Sequence, residues 1–200
     1  MTRSRAILAA TSIAAAAVLL VAGCDDDPPA TPSPEPTATG SSSEPSASPS
    51  PTSKGVVVAP ERPKEMDDDG PAGAEAAAVY FLELDGYIMT TGDTSGYEAM
   101  SLKSCKFCAN RLEQAREIAA EKLTWTGGDV AADVTHTYEQ DAATGIWPID
   151  VDATISAVSV TDPSGDEVFA DPRTRTKYRV EIAKADGNWQ VVGIADQPKP

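Results

Sequence analysis

The hydrophobic period of this chain changes once, at Gly128, and that change restricts the fold more than any single motif. Before it, apolar residues recur at helical spacing. Ala77, Phe81, Leu84 and Ile88 predict a helix over Ala74 to Thr91, with Val79, Tyr80 and Leu82 widening the stripe and Gly92-Asp93 ending it. Tyr97, Met100 and Leu102 suit a short second helix or a turn. Ser104 is placed to cap a third helix from Cys105 to Lys122, whose stripe is Cys108, Leu112, Ala115 and Ala119 and whose other face carries Arg111, Glu113, Arg116 and Glu117. Trp125-Thr126-Gly127-Gly128 breaks the helical pattern. After it the period is two: Val130, Ala132, Val134, His136 and Tyr138 form one face of a strand, and Ile149, Val151, Ala153 and Ile155 form a face of the next. A phase slip to Val158 and Val160 predicts a bulge in a bent strand. Asp162-Pro163-Ser164-Gly165 turns the chain, and strands around Tyr178 to Ile182 and Trp189 to Ala195 follow. Helices segregated ahead of antiparallel strands predict an α+β layer fold, with the helices on a curved sheet of about four strands.

The N-terminal half reads differently. Arg3 and Arg5 precede an uncharged run from Ala6 to Val21, which ends in Val21-Ala22-Gly23-Cys24. Basic start, apolar middle and small-residue end make a secretion leader. The last four residues resemble a lipobox, the motif at which bacterial lipoproteins are acylated on Cys24 and cut before it. The expected organisation is therefore a leader over residues 1–23, a lipidated Cys24 with a tether to residue 72, and one domain over residues 73–197. A diacylglyceryl group would supply the two chains that stable anchoring needs. The expected location is the outer face of the cell membrane. The tether is rich in Pro, Ser and Thr, as in Thr31-Pro32-Ser33-Pro34-Glu35-Pro36, and nearly lacks large apolar residues. Such a composition cannot offset its ordering entropy, which predicts a disordered spacer with an extended reach on the order of 140 Å. At its end, Val56-Val57-Val58 and Pro60-Glu61-Arg62-Pro63 could either dock on the domain or stay loose.

The chain carries 31 acidic and 16 basic residues, a formal charge of −15; loss of Arg3 and Arg5 with the leader takes it to −17. This charge argues against nucleic acid and anionic headgroups as partners, so membrane contact would be through the lipid. Asp67-Asp68-Asp69-Gly70 lacks the alternation and distal Glu of a calcium loop.

The layout from Ala74 to Asp196 resembles the nuclear-transport-factor-two-like (cystatin-like) architecture, a cone of curved sheet around a long helix. The lipobox, the tether, the Ala-Val-Tyr-Phe-Leu stretch of the first helix, Cys105-Lys106-Phe107-Cys108 and the closing Trp189-Gln190-Val191-Val192 are similar to a group of lipoproteins of unknown function from high-GC Gram-positive bacteria. That resemblance implies a location and a fold, and no activity.

Once Cys24 is acylated, Cys105 and Cys108 remain, at i and i+3 of a helix start. They suit a disulfide, either as a structural staple or as a thiol-exchange pair. A redox domain of the thioredoxin type would place a buried strand directly before the motif, and Tyr97 to Ser104 does not read as one. The cysteine pair and one histidine are too few for zinc. No cofactor motif is present. His136 and Tyr138 share a strand face that would line the cone, opposite Tyr80 of the first helix; these three are the candidate pocket residues. Asp133, Asp150 and Asp152 fall on the opposite phases of their strands, which does not support paired-carboxylate chemistry. No catalytic residue is assigned. The function expected is a surface-tethered module that binds an envelope protein or a small ligand. The alternatives are a membrane-anchored thiol–disulfide oxidoreductase and a small hydrolase or isomerase using His136.

Overall fold

Proline cannot donate a backbone hydrogen bond, and at the first helical position none is required. In the computed structural model, which describes residues 57–198, Pro71 takes that place and opens α1 (Pro71–Thr91). Gly92 closes the helix in the left-handed conformation at φ 73°, its N–H returning to the Ile88 carbonyl. Ala77, Phe81, Leu84 and Ile88 are buried, as their spacing predicts, and Ala74 and Ala78 are buried with them. A short α2 (Ser95–Met100) follows, and then α3 (Lys106–Ala120). The cap of α3 is Cys105 rather than Ser104: its Sγ accepts the Cys108 N–H at 3.1 Å.

The strands form two antiparallel sheets. The larger has the order β2 (Val130–Thr137), β3 (Trp147–Ile155), β6 (Thr174–Ala185), β7 (Asn188–Asp196). It is the four-stranded sheet that the alternation predicts, and the α+β class is as expected. The smaller sheet, with order β1 (Thr124–Gly127), β4 (Val158–Thr161), β5 (Glu167–Asp171), was not foreseen. The phase slip after Ile155 has a different cause from the bulge that was expected. At that point the chain leaves the larger sheet, turns at Ser156-Ala157, and enters the smaller one as β4. Gly127, at φ 76°, lies under this crossover; a Cβ on it would stand 1.9 Å from the Ala157 carbonyl oxygen, so no other residue fits.

The packed region begins upstream of Gly73, where the sequence placed the domain boundary. A 3-10 turn at Lys64–Asp67 buries Met66, and Trp189 Nε1 donates to the Met66 carbonyl at 3.0 Å. Lys184 pairs with Asp69. Of the segment whose docking the sequence left open, residues 60–63 therefore lead into a packed turn, while Val57 and Val58 are exposed. The leader, Cys24 and the tether as far as Val56 lie outside the described residues. Among the described residues no helix is long and apolar enough to cross a membrane.

Candidate functional site

Asp85 occupies an unusual place on α1. It lies four residues after Phe81 and three before Ile88, both fully buried, so helical geometry turns its carboxylate toward the interior. Uncompensated, a charge there would be costly. Arg111 of α3 compensates it, with Nε donating to Asp85 Oδ1 at 2.7 Å and Nη2 to Oδ2 in a two-pronged pair. Arg111 Nη1 donates to Gln114 Oε1 at 2.6 Å. Burial pulls the Arg111 guanidinium toward a lower pKa, but the Asp85 hydrogen bonds and charge outweigh it and the net direction is upward. Tyr97, stacked on Phe81 with ring centroids 4.1 Å apart, is buried close by. Burial pushes its hydroxyl far above the usual range, with Asp85 adding to the effect.

Asp85, Arg111 and Gln114, with Asp171 and Thr174, form the polar lining of a cavity of about 210 Å³ between α1, α3 and the two sheets. Phe107, Trp125, Phe169 and Tyr178 wall it, the first and last meeting edge-on at 5.9 Å. Gly86 lets α1 come this close to the β1–β2 junction, since a Cβ there would lie 2.7 Å from the Gly128 carbonyl oxygen. Sequence reasoning did not single out Asp85 and placed Arg111 on the solvent side of α3. The available signal was an acid inside an apolar stripe and a base three residues after Cys108.

The three residues named as a candidate pocket are not brought together. Tyr80 lines a separate groove beside Met66, Met100 and Trp189. His136 and Tyr138 are exposed on the outer face of the larger sheet. The reason is a register shift in β2: Val134 faces Val151, but His136 faces Asp150, with Thr135 as the extra residue. Beyond it the phase is inverted. Thr137 turns inward and donates to Glu75 of α1 at 2.6 Å, while His136 turns out. Asp133 and Asp152 are cross-strand partners away from the cavity, and Lys177 lies 3.4 Å from Asp152.

On that outer face Arg179 holds Asp150, with Nε at 2.8 Å from Oδ1 and Nη2 at 3.0 Å from Oδ2, and Tyr138 donates to Oδ2 at 3.1 Å. His136 packs edge-on against the Tyr138 ring. The Arg179 hydrogen bonds hold the Asp150 carboxyl below its usual value, against the opposing effect of desolvation. A depressed folded-state pKa adds stability that is present above the unfolded value of about 3.9 and is lost as pH falls through the lower folded value. Asp150→Asn should therefore be about 1 kcal/mol less stable than the parent near pH 7. The gap should close below about pH 3, read by urea unfolding across pH. A gap that stays constant down to that pH would remove the charge from the explanation.

Cys105 and Cys108 form a disulfide with Cα atoms 5.3 Å apart, and both residues are 1% exposed. Burial of both sulfurs opposes attack by an external thiolate and favours the staple. Because the bridge closes a very short loop, chain entropy predicts a contribution of about 2 kcal/mol. Replacing both residues with Ala should lower the melting temperature by about 6 °C. A loss under about 1 °C would leave the staple without a thermodynamic role.

No curated protein matches this chain. Among solved structures, the intermembrane space region of chloroplast protein ARC6 is similar with a TM-score of 0.51 and 11% identity, covering 65% of this chain and 98% of that one. That likeness concerns the fold alone. A periplasmic fragment of TraM gives 0.38 and 13% over 66% of this chain and 96% of its own. An uncharacterized protein with a cystatin-like fold from Caulobacter vibrioides gives 0.33 and 11% over 62% and 91%. Residues 50–195, which contain the cavity, the disulfide and both sheets apart from the last residue of β7, match the model of a family of unknown function, and the chain belongs to that family, DUF6318.

Proposed function

We propose that this protein is a lipid-anchored binding module on the outer face of the cell membrane, and that its cavity takes a small ligand with a flat apolar body and one acceptor group. The leader and the lipobox-like Val21-Ala22-Gly23-Cys24 support the location. The chain's negative charge is consistent with attachment by lipid rather than by headgroup contact.

The observation that carries the ligand reading is the state of Arg111. Three of its five N–H groups are engaged by Asp85 and Gln114, which fixes the plane of the guanidinium and leaves two donors. Fixed donors among aromatic walls are what a small binding site requires: burial supplies affinity and the few polar groups supply orientation. Asp85, Arg111 and Gln114 are paired with one another, and for these three this favours orienting a ligand over acid–base catalysis. The exposure of His136 and the burial of the cysteine pair give the two catalytic alternatives no geometric support.

The test is titration of the full chain, in detergent, with benzoate, 4-hydroxycinnamate and indole-3-acetate, followed by Trp fluorescence and calorimetry. At least one probe should bind saturably to the parent and at least about tenfold more weakly to Arg111→Lys, which keeps the charge but loses the fork. Absence of binding by all three, or equal binding to the variant, would overturn the ligand reading. Mass spectrometry showing Cys24 unmodified in native material would overturn the location.

A further inference from the structure

The smaller sheet ends in a strand that is apolar where it should be guarded. β5 is the last strand in the order β1-β4-β5, so its outer edge has no strand partner among the described residues. All five of its residues are exposed, including Val168 at 55% and Phe169 at 50%. Neighbouring strand residues normally point to opposite faces. Here the register shifts between Val160 and Thr161, with Phe169 opposite Val160 and Glu167 opposite Thr161. Val168 is the extra residue, and the bulge brings it to the same side as Phe169. Both line a groove of about 210 Å³ between β5 and α3, floored by Ile118, Leu123 and Trp125. Its charged lining residues are both acids, Glu117 and Glu121 of α3.

We propose that this groove receives an extended segment of a partner protein in which apolar residues alternate with lysine or arginine. The alternation follows from strand geometry: a segment laid along β5 turns every second side chain into the groove. The basic residues follow from charge, since Glu117 and Glu121 face the groove and Glu167 and Asp171 close the two ends of β5. A contiguous exposed apolar patch with a polar rim marks an interaction site. Two other occupants fit less well. A second copy would bring the same acidic rim against this one, and like charges across an interface are costly. The chain's own N-terminal segment has three acids directly after Cys24, and its apolar cluster Val56-Val57-Val58 does not alternate with basic residues.

This inference does not depend on the small-ligand reading, although the groove shares Gln114, Trp125 and Phe169 with the cavity. The experiment uses the full chain and a labelled peptide, acetyl-(Lys-Val)₃-Lys-amide, followed by fluorescence anisotropy at physiological salt. The companion peptide replaces each Val with Ser. The Val peptide should bind at least about tenfold more tightly than the Ser peptide. Phe169→Ser, and separately the pair Glu117→Lys with Glu121→Lys, should each weaken it about tenfold, whereas Arg111→Lys should leave it within about twofold. The Glu117→Lys and Glu121→Lys pair lies on the exposed face of α3 and should leave the melting temperature unchanged, and circular dichroism at the assay temperature should show every variant folded, so that loss of binding is not loss of fold. Equal affinity for the two peptides would reduce the effect to bulk charge attraction and overturn the proposal. So would binding indifferent to Phe169→Ser, or a dimer of the full chain that Phe169→Ser dissolves.

Discussion

Gly127→Ala is expected to cost on the order of 4 kcal/mol, the largest loss for so small an addition anywhere in the described domain. Two effects combine. The φ of 76° strains any residue with a Cβ by about 1–2 kcal/mol. The new methyl would also stand 1.9 Å from the Ala157 carbonyl oxygen and 3.1 Å from its carbon. A clash with a flexible side chain can be relieved by a rotamer change; a clash with backbone cannot. Relief here requires β1 to move away from the crossover, which disturbs its pairing with β4 and the packing of Trp125 opposite Val160. Gly165 provides the control, because its φ is 92° but nothing lies within 4 Å of its would-be Cβ. Gly165→Ala should lose only the conformational part, about 1 kcal/mol. Chemical denaturation of the two variants should place them about 3 kcal/mol apart. If they differ by less than about 1 kcal/mol, the close approach to Ala157 contributes little.

Asp85→Ala is expected to lose about 3 kcal/mol, or roughly 10 °C in melting temperature. The side chains of Asp85 and Arg111 are 16% and 25% exposed, so the surviving guanidinium can regain only part of its hydration. The low end of the range for a broken buried pair applies, because Arg111 keeps Gln114 and some access to water. Arg111→Met should lose a similar amount by stranding the carboxylate. The double variant should recover much of either loss, since an apolar pair replaces two charges that had to be desolvated and neither is left without its partner. A double-mutant cycle measures this directly. If the double variant loses the sum of the two single losses, the residues act independently and the pairing has no energetic role.

The helical half was largely legible because α1 and α3 bury one face each, and such faces leave a 3.6-residue period in the sequence. The four longer strands were legible for the same reason at period two. What escaped was local. β1 is four residues long and runs into Gly127-Gly128, so its composition reads as a break. β5 buries neither face and therefore shows no alternation. The bulge at Thr135 inverts His136 and Tyr138, and period counting has no means of detecting one inserted residue when it and the two residues after it, His136 and Thr137, are all polar. The crossover at Ser156-Ala157 produced the phase slip, but a slip alone does not distinguish a bent strand from a change of sheet. Asp85 was overlooked because the apolar residues around it form a satisfactory stripe without it. The cavity is assembled by residues from α1, α3 and strands of both sheets, β1 and β3 to β6, a long-range juxtaposition that local pattern does not encode.

The way the chain enters the domain also determines how it yields to force. Tension arriving from the N-terminal side reaches α1 only after passing the turn that holds Met66 beneath Trp189. Trp189 sits at the beginning of the final strand, so the entry point is riveted to the opposite end of the polypeptide. A drag applied there would peel one small anchor at a time, with the indole contact yielding before the long helix carries any load. The turn would act as a mechanical fuse that shields the cavity from tension entering through the residues before it.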